Sequence, residues 1–281
     1  MSVTPTTAAV HLQTVISEAA LGYFEKALGL GMYCADYSGM VPAGGGVGAI
    51  KVPLLYEETA GDKTAGSALT WGANTDTSFT ITPDQHKIVA KVIEDITQLR
   101  SSNDLFEAYT RSGGWGLAKA FEAKVAAVVQ SSTTNNTTLT NDNTLTDAEV
   151  LTAIATLAAS NIDPRDCVFA MNPTLFKSVA ALDTYKKANE RAASESFQNQ
   201  GALGSWYGMP VYLSNDFGSA AATGTKVGAI WHRDSVGFAF WRKMQSEIGR
   251  VMEHRGDGLV IESIYGVSVA LDAGILNFLN P

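Results

Sequence analysis

Two cysteines, four histidines and 20 basic residues against 28 acidic ones are the scarcities of this 281-residue chain. Each closes a class of function. Cys34 and Cys167 have no close spacing and no second pair, so neither a disulfide framework nor a structural zinc site is written here. Two reduced, structural thiols made in a cytosol is the expectation. His11, His86, His232 and His254 lie far apart and lack the i, i+4 spacing of helical metal ligands, so no metal site is expected. The formal net charge of −8 leaves no basic face to neutralise phosphates. The best basic groups, Lys186-Lys187 with Arg191 and Arg242-Lys243, are isolated, which argues against DNA binding as a primary role but allows a container for DNA. Residues 1–30 have no basic segment followed by an apolar run, and no stretch reaches membrane-span length. A soluble protein without a signal peptide is expected.

What is present is enough for a core. Apolar residues make up 46% of the chain, and a compact fold of this size would bury roughly 75% of its unfolded surface. Residues 1–48 read as an arm: a polar start, a weakly amphipathic helix around His11 to Leu28, and the glycine cluster Gly44-Gly45-Gly46-Val47-Gly48. From Ala49 the pattern turns to strands on either side of the turn GDKTAGS. Extended arms of about 18 residues a side would reach up to ~60 Å at ~3.3 Å per residue, against a radius of gyration near ~19 Å for a compact body. Such a hairpin would leave its own subunit, so residues 49–85 are expected to find support only on a neighbour. A sheet folded back on the body is the alternative.

A long helix over Asn103 to Gln130, about 40 Å at ~1.5 Å per residue, carries Leu117, Phe121, Val125 and Val128 on one stripe. Ser101 and Asp104 can cap its start. Gly113, Gly114 and Gly116 should break or bend it. Residues 131–144, SSTTNNTTLTNDNT, read as a loop, hairpin tip or junction. Thr146 and Glu149 form a capping box, with Leu145 stapled to Val150, for a helix whose apolar face is Val150, Leu151, Ile154, Leu157 and Ala158. DCVFAM is a buried strand, and Asn172-Pro173 starts a helix over Thr174 to Leu182. Asp183 to Asn199 has no apolar stripe and reads as an exposed projection. Seven short strands with glycine-bearing turns follow: MPVYLS, VGAIWHR, GFAFWR, QSEIGRV, GLVIES, YGVSVAL and GILNFL. Helices that precede these strands without alternating with them indicate an α+β fold.

Fragments that look catalytic fail on order. Gly48-Ala49-Ile50-Lys51, His232-Arg233-Asp234 and Asp216-Phe217-Gly218 resemble kinase parts, but Asp-Phe-Gly precedes His-Arg-Asp, and Ala239 stands where a metal-binding asparagine is needed. No Gly-x-Ser-x-Gly elbow and no complete Walker cradle occurs. Glu57-Glu58 and Glu94-Asp95 could be general acids only inside a cleft; as solvated edges they need no explanation. No catalytic, cofactor or metal residue is therefore assigned, and the chain is read as no enzyme. Trp71 on the hairpin is a plausible interface anchor, while Trp115, Trp206, Trp231 and Trp241 suit core packing. Glu57, Glu58, Asp62, Lys63 and Trp71 are the candidates for contact between copies.

The order of these pieces resembles tailed-bacteriophage major capsid proteins with the Hong Kong 97-like fold. The likeness covers residues 40–281, through VAKVIEDITQLRSSNDLFEAYTRSGGWGLAKAFEAKV, DAEVLTAIATLAASNIDPRDCVFAMNPTLFKSVAAL, GSWYGMPVYLSNDF, VGAIWHRDSVGFAF and GDGLVIESIYGVSVALDAGILNF. The resemblance implies an N-terminal arm (1–48), an extended E-loop (49–85) and a peripheral domain with a long spine helix (86–144). An axial domain (145–250) and closing strands shared by both domains (251–281) complete it. It implies copies of the chain assembled as pentamers and hexamers around DNA, in a virion made in the host cytoplasm, with no cofactor and no membrane. A separate scaffolding protein, a portal and a decoration protein are possible partners. The arm is short, which is why scaffolding is expected to be separate. Lys63 is the one well-placed lysine for a lysine–asparagine cross-link, but no acceptor motif is visible and cross-linking is not expected. An encapsulin, a protein-filled compartment of the same fold, is the near alternative; a soluble α+β enzyme using scattered carboxylates is the one of another class.

Overall fold

The structure, a computed structural model, describes residues 18–24, 29–42, 48–54, 62–66, 68, 77–95, 105–182 and 204–281. In chain order the elements are helix α1 (18–24), strands β1 (Ala35–Asp36), β2 (Ile50–Leu54), β3 (Thr77–Ile81) and β4 (Gln85–Glu94), and the long helix α2 (Leu105–Ser131). Then come β5 (Asn135–Thr138), α3 (Asp147–Ala159), β6 (Cys167–Met171), α4 (Pro173–Val179), β7 (Ser205–Trp206), β8 (Met209–Leu213) and β9 (Lys226–His232). The long strands β10 (Val236–Val251) and β11 (Gly256–Val269), followed by β12 (Ile275–Leu279), close the chain. The expected cap at Ser101 and Asp104 and the projection at 183–199 lie outside the described residues.

Two sheets organise the body. One has the order β1-β10-β11-β4, with antiparallel pairing from β10 through β11 to β4. The other has the order β5-β12-β9-β6-β8-β7 and mixes parallel and antiparallel pairs. Segregated helices on mixed sheets make the fold α+β. α2 lies on the inner face of the first sheet. There the Phe121 ring meets Phe238, Phe240 and Tyr265 at centroid separations of 5.3, 5.1 and 5.1 Å, an edge-and-tilt arrangement that suits aromatic quadrupoles. The second sheet has its own core, with Phe169 between Trp206 and Phe278. α3 covers that core as its capping box directs. The Thr146 N–H donates to Glu149 Oε2 at 2.7 Å, and the Glu149 N–H donates to Thr146 Oγ1 at 3.4 Å. Its buried face is Val150, Ala153 and Leu157; Leu151 and Ala158 point outward instead.

Glycine does not break α2. The helix runs unbroken for 27 residues because Gly113 and Gly114 serve close approach, not a turn. A Cβ on Gly113 would lie 2.8 Å from Ile261 Cδ1, and one on Gly114 would lie 2.6 Å from the Ala20 carbonyl oxygen. The helix thus gives up a little propensity to let β11 and α1 approach its backbone. The strands are longer than the turn signals suggest for a related reason. GFAFWR and QSEIGRV are one 16-residue strand whose register shifts near Arg242, so a bulge bends the strand without ending it. GLVIES and YGVSVAL are likewise one strand, in which a side chain at Gly266 would collide with the Thr82 carbonyl. The polar stretch 131–144 contributes an edge strand, β5, parallel to β12.

A second difference concerns residues 49–85. β2 and β3 pair from Ile50↔Ile81 to Leu54↔Thr77, and Ile50, Val52, Phe79 and Ile81 pack with Ala239 on the outer face of the first sheet. The base of the hairpin therefore has a home on its own body. The turn residues 62–66 beyond it are exposed.

Gly114→Ala should lower unfolding stability by about 1–3 kcal/mol, because the backbone it meets cannot move aside. Gly116→Ala, whose Cβ would sit 3.7 Å from Val89, should be neutral or stabilising by up to ~1 kcal/mol through helix propensity. Denaturant midpoints of the two variants check the contrast.

Candidate assembly surfaces

α2 is tied to the rest of the chain at two places. Glu122 falls in the row Ala118–Glu122–Ala126, beside the apolar stripe, and is buried. Its carboxylate accepts three consecutive backbone N–H groups: Gly29 at 2.9 Å, Leu30 at 2.6 Å and Gly31 at 3.1 Å. Burial pushes this carboxyl above its ordinary range, against the opposing pull of those donors. At the far end, the carbonyls of the last turn are met by side chains from the second sheet. Lys226 on β9 donates to Gln130 O and, at 2.7 Å, to Ser132 O; Asn277 on β12 donates to Val129 O at 3.2 Å and Ser132 O at 3.1 Å. A cation at a helix C-terminus also complements the helix dipole. One helix therefore joins the backbone at residues 29–31, the first sheet and the second sheet.

The outer side of α2 is a surface. Arg111, Trp115 and Lys119 are exposed at i, i+4, i+8, next to Ser112 and Gly116. Trp115, expected in the core, is 57% exposed, with the Arg111 guanidinium 5.9 Å from its ring. Trp206 and Trp231 are buried as expected, and Trp231 donates from Nε1 to Tyr33 O at 3.0 Å. A cleft of about 470 Å³ runs beside this stripe, lined by Trp115, Lys119, Tyr212 and Asp216 among others. On α3, Leu151 is 51% exposed, and no charged residue occurs from Val150 to Ile162.

Of the contact candidates, Asp62 and Lys63 are exposed at the hairpin turn; Glu57, Glu58 and Trp71 lie outside the described residues. The kinase-like fragments are structural. His232 Nδ1 accepts the Asp234 N–H at 3.2 Å in a short turn after β9, and Phe217 is buried. Both thiols are buried, and burial pushes Cys167 up to about 12 and Cys34 higher still, which keeps them as unreactive thiols. Among the described residues, no group of three or more His, Cys, Asp or Glu could hold a metal ion, and no helix is long and apolar enough to cross a membrane. Sequence reasoning missed Glu122. Its signal was a charge between two alanines on the buried side of a helix.

A long helix on a sheet of long strands, a second sheet with its own core and a hairpin whose base is packed while its turn is exposed define a class of protein that works through surfaces. Solved structures share this architecture. A chain of Mycobacterium phage Che8 matches with a TM-score of 0.65 at 20% identity, over 88% of this chain and 89% of that one. The capsid of the cyanophage P-SCSP1u matches at 0.66 and 14%, over 89% and 86%. The capsid of an empty GTA particle matches at 0.65 and 12%, over 90% of each chain. A comparison with curated proteins gave no match. The family described as phage capsid protein matches residues 91–278, two thirds of the chain. The chain belongs to that family and is a phage major capsid protein with the Hong Kong 97-like α+β fold.

Glu122→Gln should cost on the order of 2–4 kcal/mol, because an amide presents N–H groups to buried N–H donors. The sign with pH follows from the raised carboxyl. Its contribution is full below the ordinary value of 4.5 and declines as pH rises through the folded-state value. The gap between wild type and variant should therefore narrow from pH 4.5 upward and then level, as read by urea titrations at successive pH values.

Proposed function

We propose that copies of this chain form the pentamers and hexamers of an icosahedral shell around phage DNA, held together by the hairpin between β2 and β3. The observation that carries this reading is the division of that hairpin. Its base is packed on the chain's own sheet, while Asp62 and Lys63 at its turn face solvent. Residues 55–76 include Glu57, Glu58, Asp62 and Asp76 against a single Lys63, an acidic segment. The exposed side of α2 offers Arg111, Lys119 and Trp115, a basic and aromatic stripe of the kind that anchors interfaces. In this reading the hairpin of one copy lies on the α2 stripe of the next, with Trp71 as its apolar anchor. Each contact raises the effective concentration of the others, so weak pairings multiply around a closed ring.

The arm over 1–48, the E-loop over 49–85, the peripheral domain over 86–144, the axial domain over 145–250 and the closing strands over 251–281 are the working parts of this proposal. A separate scaffolding protein, a portal and a decoration protein are its further partners, and assembly takes place in the host cytoplasm. The acidic chain encloses DNA without sequence-specific contact, since its charge offers no general grip on phosphate. It is a structural component with no catalytic role.

Replacing residues 55–76 by Asn-Gly gives a two-residue hairpin that still pairs Leu54 with Thr77. The variant should keep the wild-type melting transition and lose shells in electron micrographs. Shells of wild-type size from it would overturn the reading. Wild-type particles should carry genomic DNA; particles filled instead with one co-purified enzyme would point to a cellular compartment.

A further inference from the structure

β4 is the outermost strand of its sheet. It pairs with β11 on one side only, and among the described residues no backbone hydrogen bond reaches its other edge. Its outward row is His86, Ile88, Ala90, Val92 and Glu94, all exposed, with Ile88 at 52% and Val92 at 44%. The half-buried Val260 and Ile264 on β11 continue that apolar surface. A ten-residue edge with an apolar face is a template for pairing with another strand. The row itself indicates which strand. Read from either end towards Ala90, it runs from a titratable group, through a branched aliphatic, to the small central residue.

We propose that β4 is a self-complementary interface: two copies pair their β4 edges antiparallel across a two-fold axis at Ala90, joining two four-stranded sheets into one. A two-fold perpendicular to the sheet keeps each row on its own face, so residues opposite one another belong to the same row. Centred on Ala90, His86 stands opposite Glu94 of the second copy, Ile88 opposite its Val92, and Ala90 opposite its Ala90. On the helix-facing row, Lys87 stands opposite Ile93 and Lys91 opposite Val89. No like charges are directly opposed. Moving the centre to Val89 sets Lys87 against Lys91 of the second copy, and moving it to Lys91 sets the two Lys91 side chains against each other. Like charges directly opposite destabilise a pair, so of the two registers with the greatest overlap, those centred on Val89 and on Ala90, the lysines select Ala90. The aliphatic and oppositely charged pairs each contribute roughly 0.2–1 kcal/mol. Within its own copy His86 Nε2 already lies 2.9 Å from Glu262 Oε2.

The pairing rests on the shell-building reading in needing copies side by side, and the test separates the two. Opposed residues in such a pair have Cβ atoms about 4.5–5.5 Å apart, within disulfide reach, whereas the two Ile88 positions would be roughly 13 Å apart along the strands at ~3.3 Å per residue. Ala90→Cys, Ile88→Cys and Val92→Cys are made in the full chain, whose own thiols are buried. Assembled particles and unassembled subunits are oxidised mildly and run on non-reducing gels. Ala90→Cys should give covalent dimers, Ile88→Cys alone should stay monomeric, and a mixture of Ile88→Cys with Val92→Cys chains should dimerise. Monomeric Ala90→Cys in both fractions overturns the pairing, as does Ile88→Cys dimerising as readily as Ala90→Cys. Failure of the wild type to form particles counts against the shell reading, and the gel of the soluble fraction still decides the β4 pairing.

Discussion

A 27-residue helix cannot bury itself. α2 becomes a structural member only because a sheet long enough to receive it runs beneath, and because its ties are made by side chains distant in sequence. Glu122 gathers the backbone donors of Gly29, Leu30 and Gly31, and Lys226 and Asn277 receive the carbonyls at the C-terminal end. Unsatisfied groups at a helix end are costly when buried, so these ties serve two purposes. Lys226 and Asn277 satisfy carbonyls at the helix end while Glu122 satisfies N–H groups of residues 29–31, and together they fix that segment and the second sheet against the helix. The aromatic cluster around Phe121 then fills the space so defined.

With the body made rigid in this way, its surfaces can be kept for other copies. The hairpin base is anchored on Ala239 while its turn is exposed. Trp115 is left outside on the longest of the described helices, and the β4 edge carries aliphatics into solvent. Single exposed apolar side chains are ordinary; several of them on rigid elements, each beside a charge, suit a protein whose final burial occurs between subunits. The ion pairs of the first sheet fit the same division. Arg250 bridges Asp95 at 2.7 Å and Asp257 at 3.2 Å, tying the end of the β10–β11 ribbon to the end of β4.

Legibility in the sequence followed the range of the forces. Local signals were reliable: the capping box at Thr146, the Asn172-Pro173 helix start and the all-buried CVFAM strand were all where their residues indicated. Glycine misled, because the same residue that ends a helix in water allows another backbone to approach in a packed body. Gly113 and Gly114 do the second. Trp115 misled for the converse reason, since an aromatic is worth burying but need not be buried within its own chain. Glu122 and the contacts of β4 involve residues up to some 180 positions apart, beyond any spacing rule.

By itself the sequence determined the α+β character, the long helix with its apolar stripe, the absence of a written catalytic or metal constellation, and the order of parts that resembles a capsid protein. Periodicity and capping are properties of neighbouring residues, and a chain carries them before it folds. Only the tertiary structure decided which glycines are contacts, that short strands merge into long ones, that the hairpin base is at home, and which apolar groups stay exposed. Those outcomes depend on what is packed against each residue from elsewhere in the chain, and distant packing leaves no fixed spacing to read.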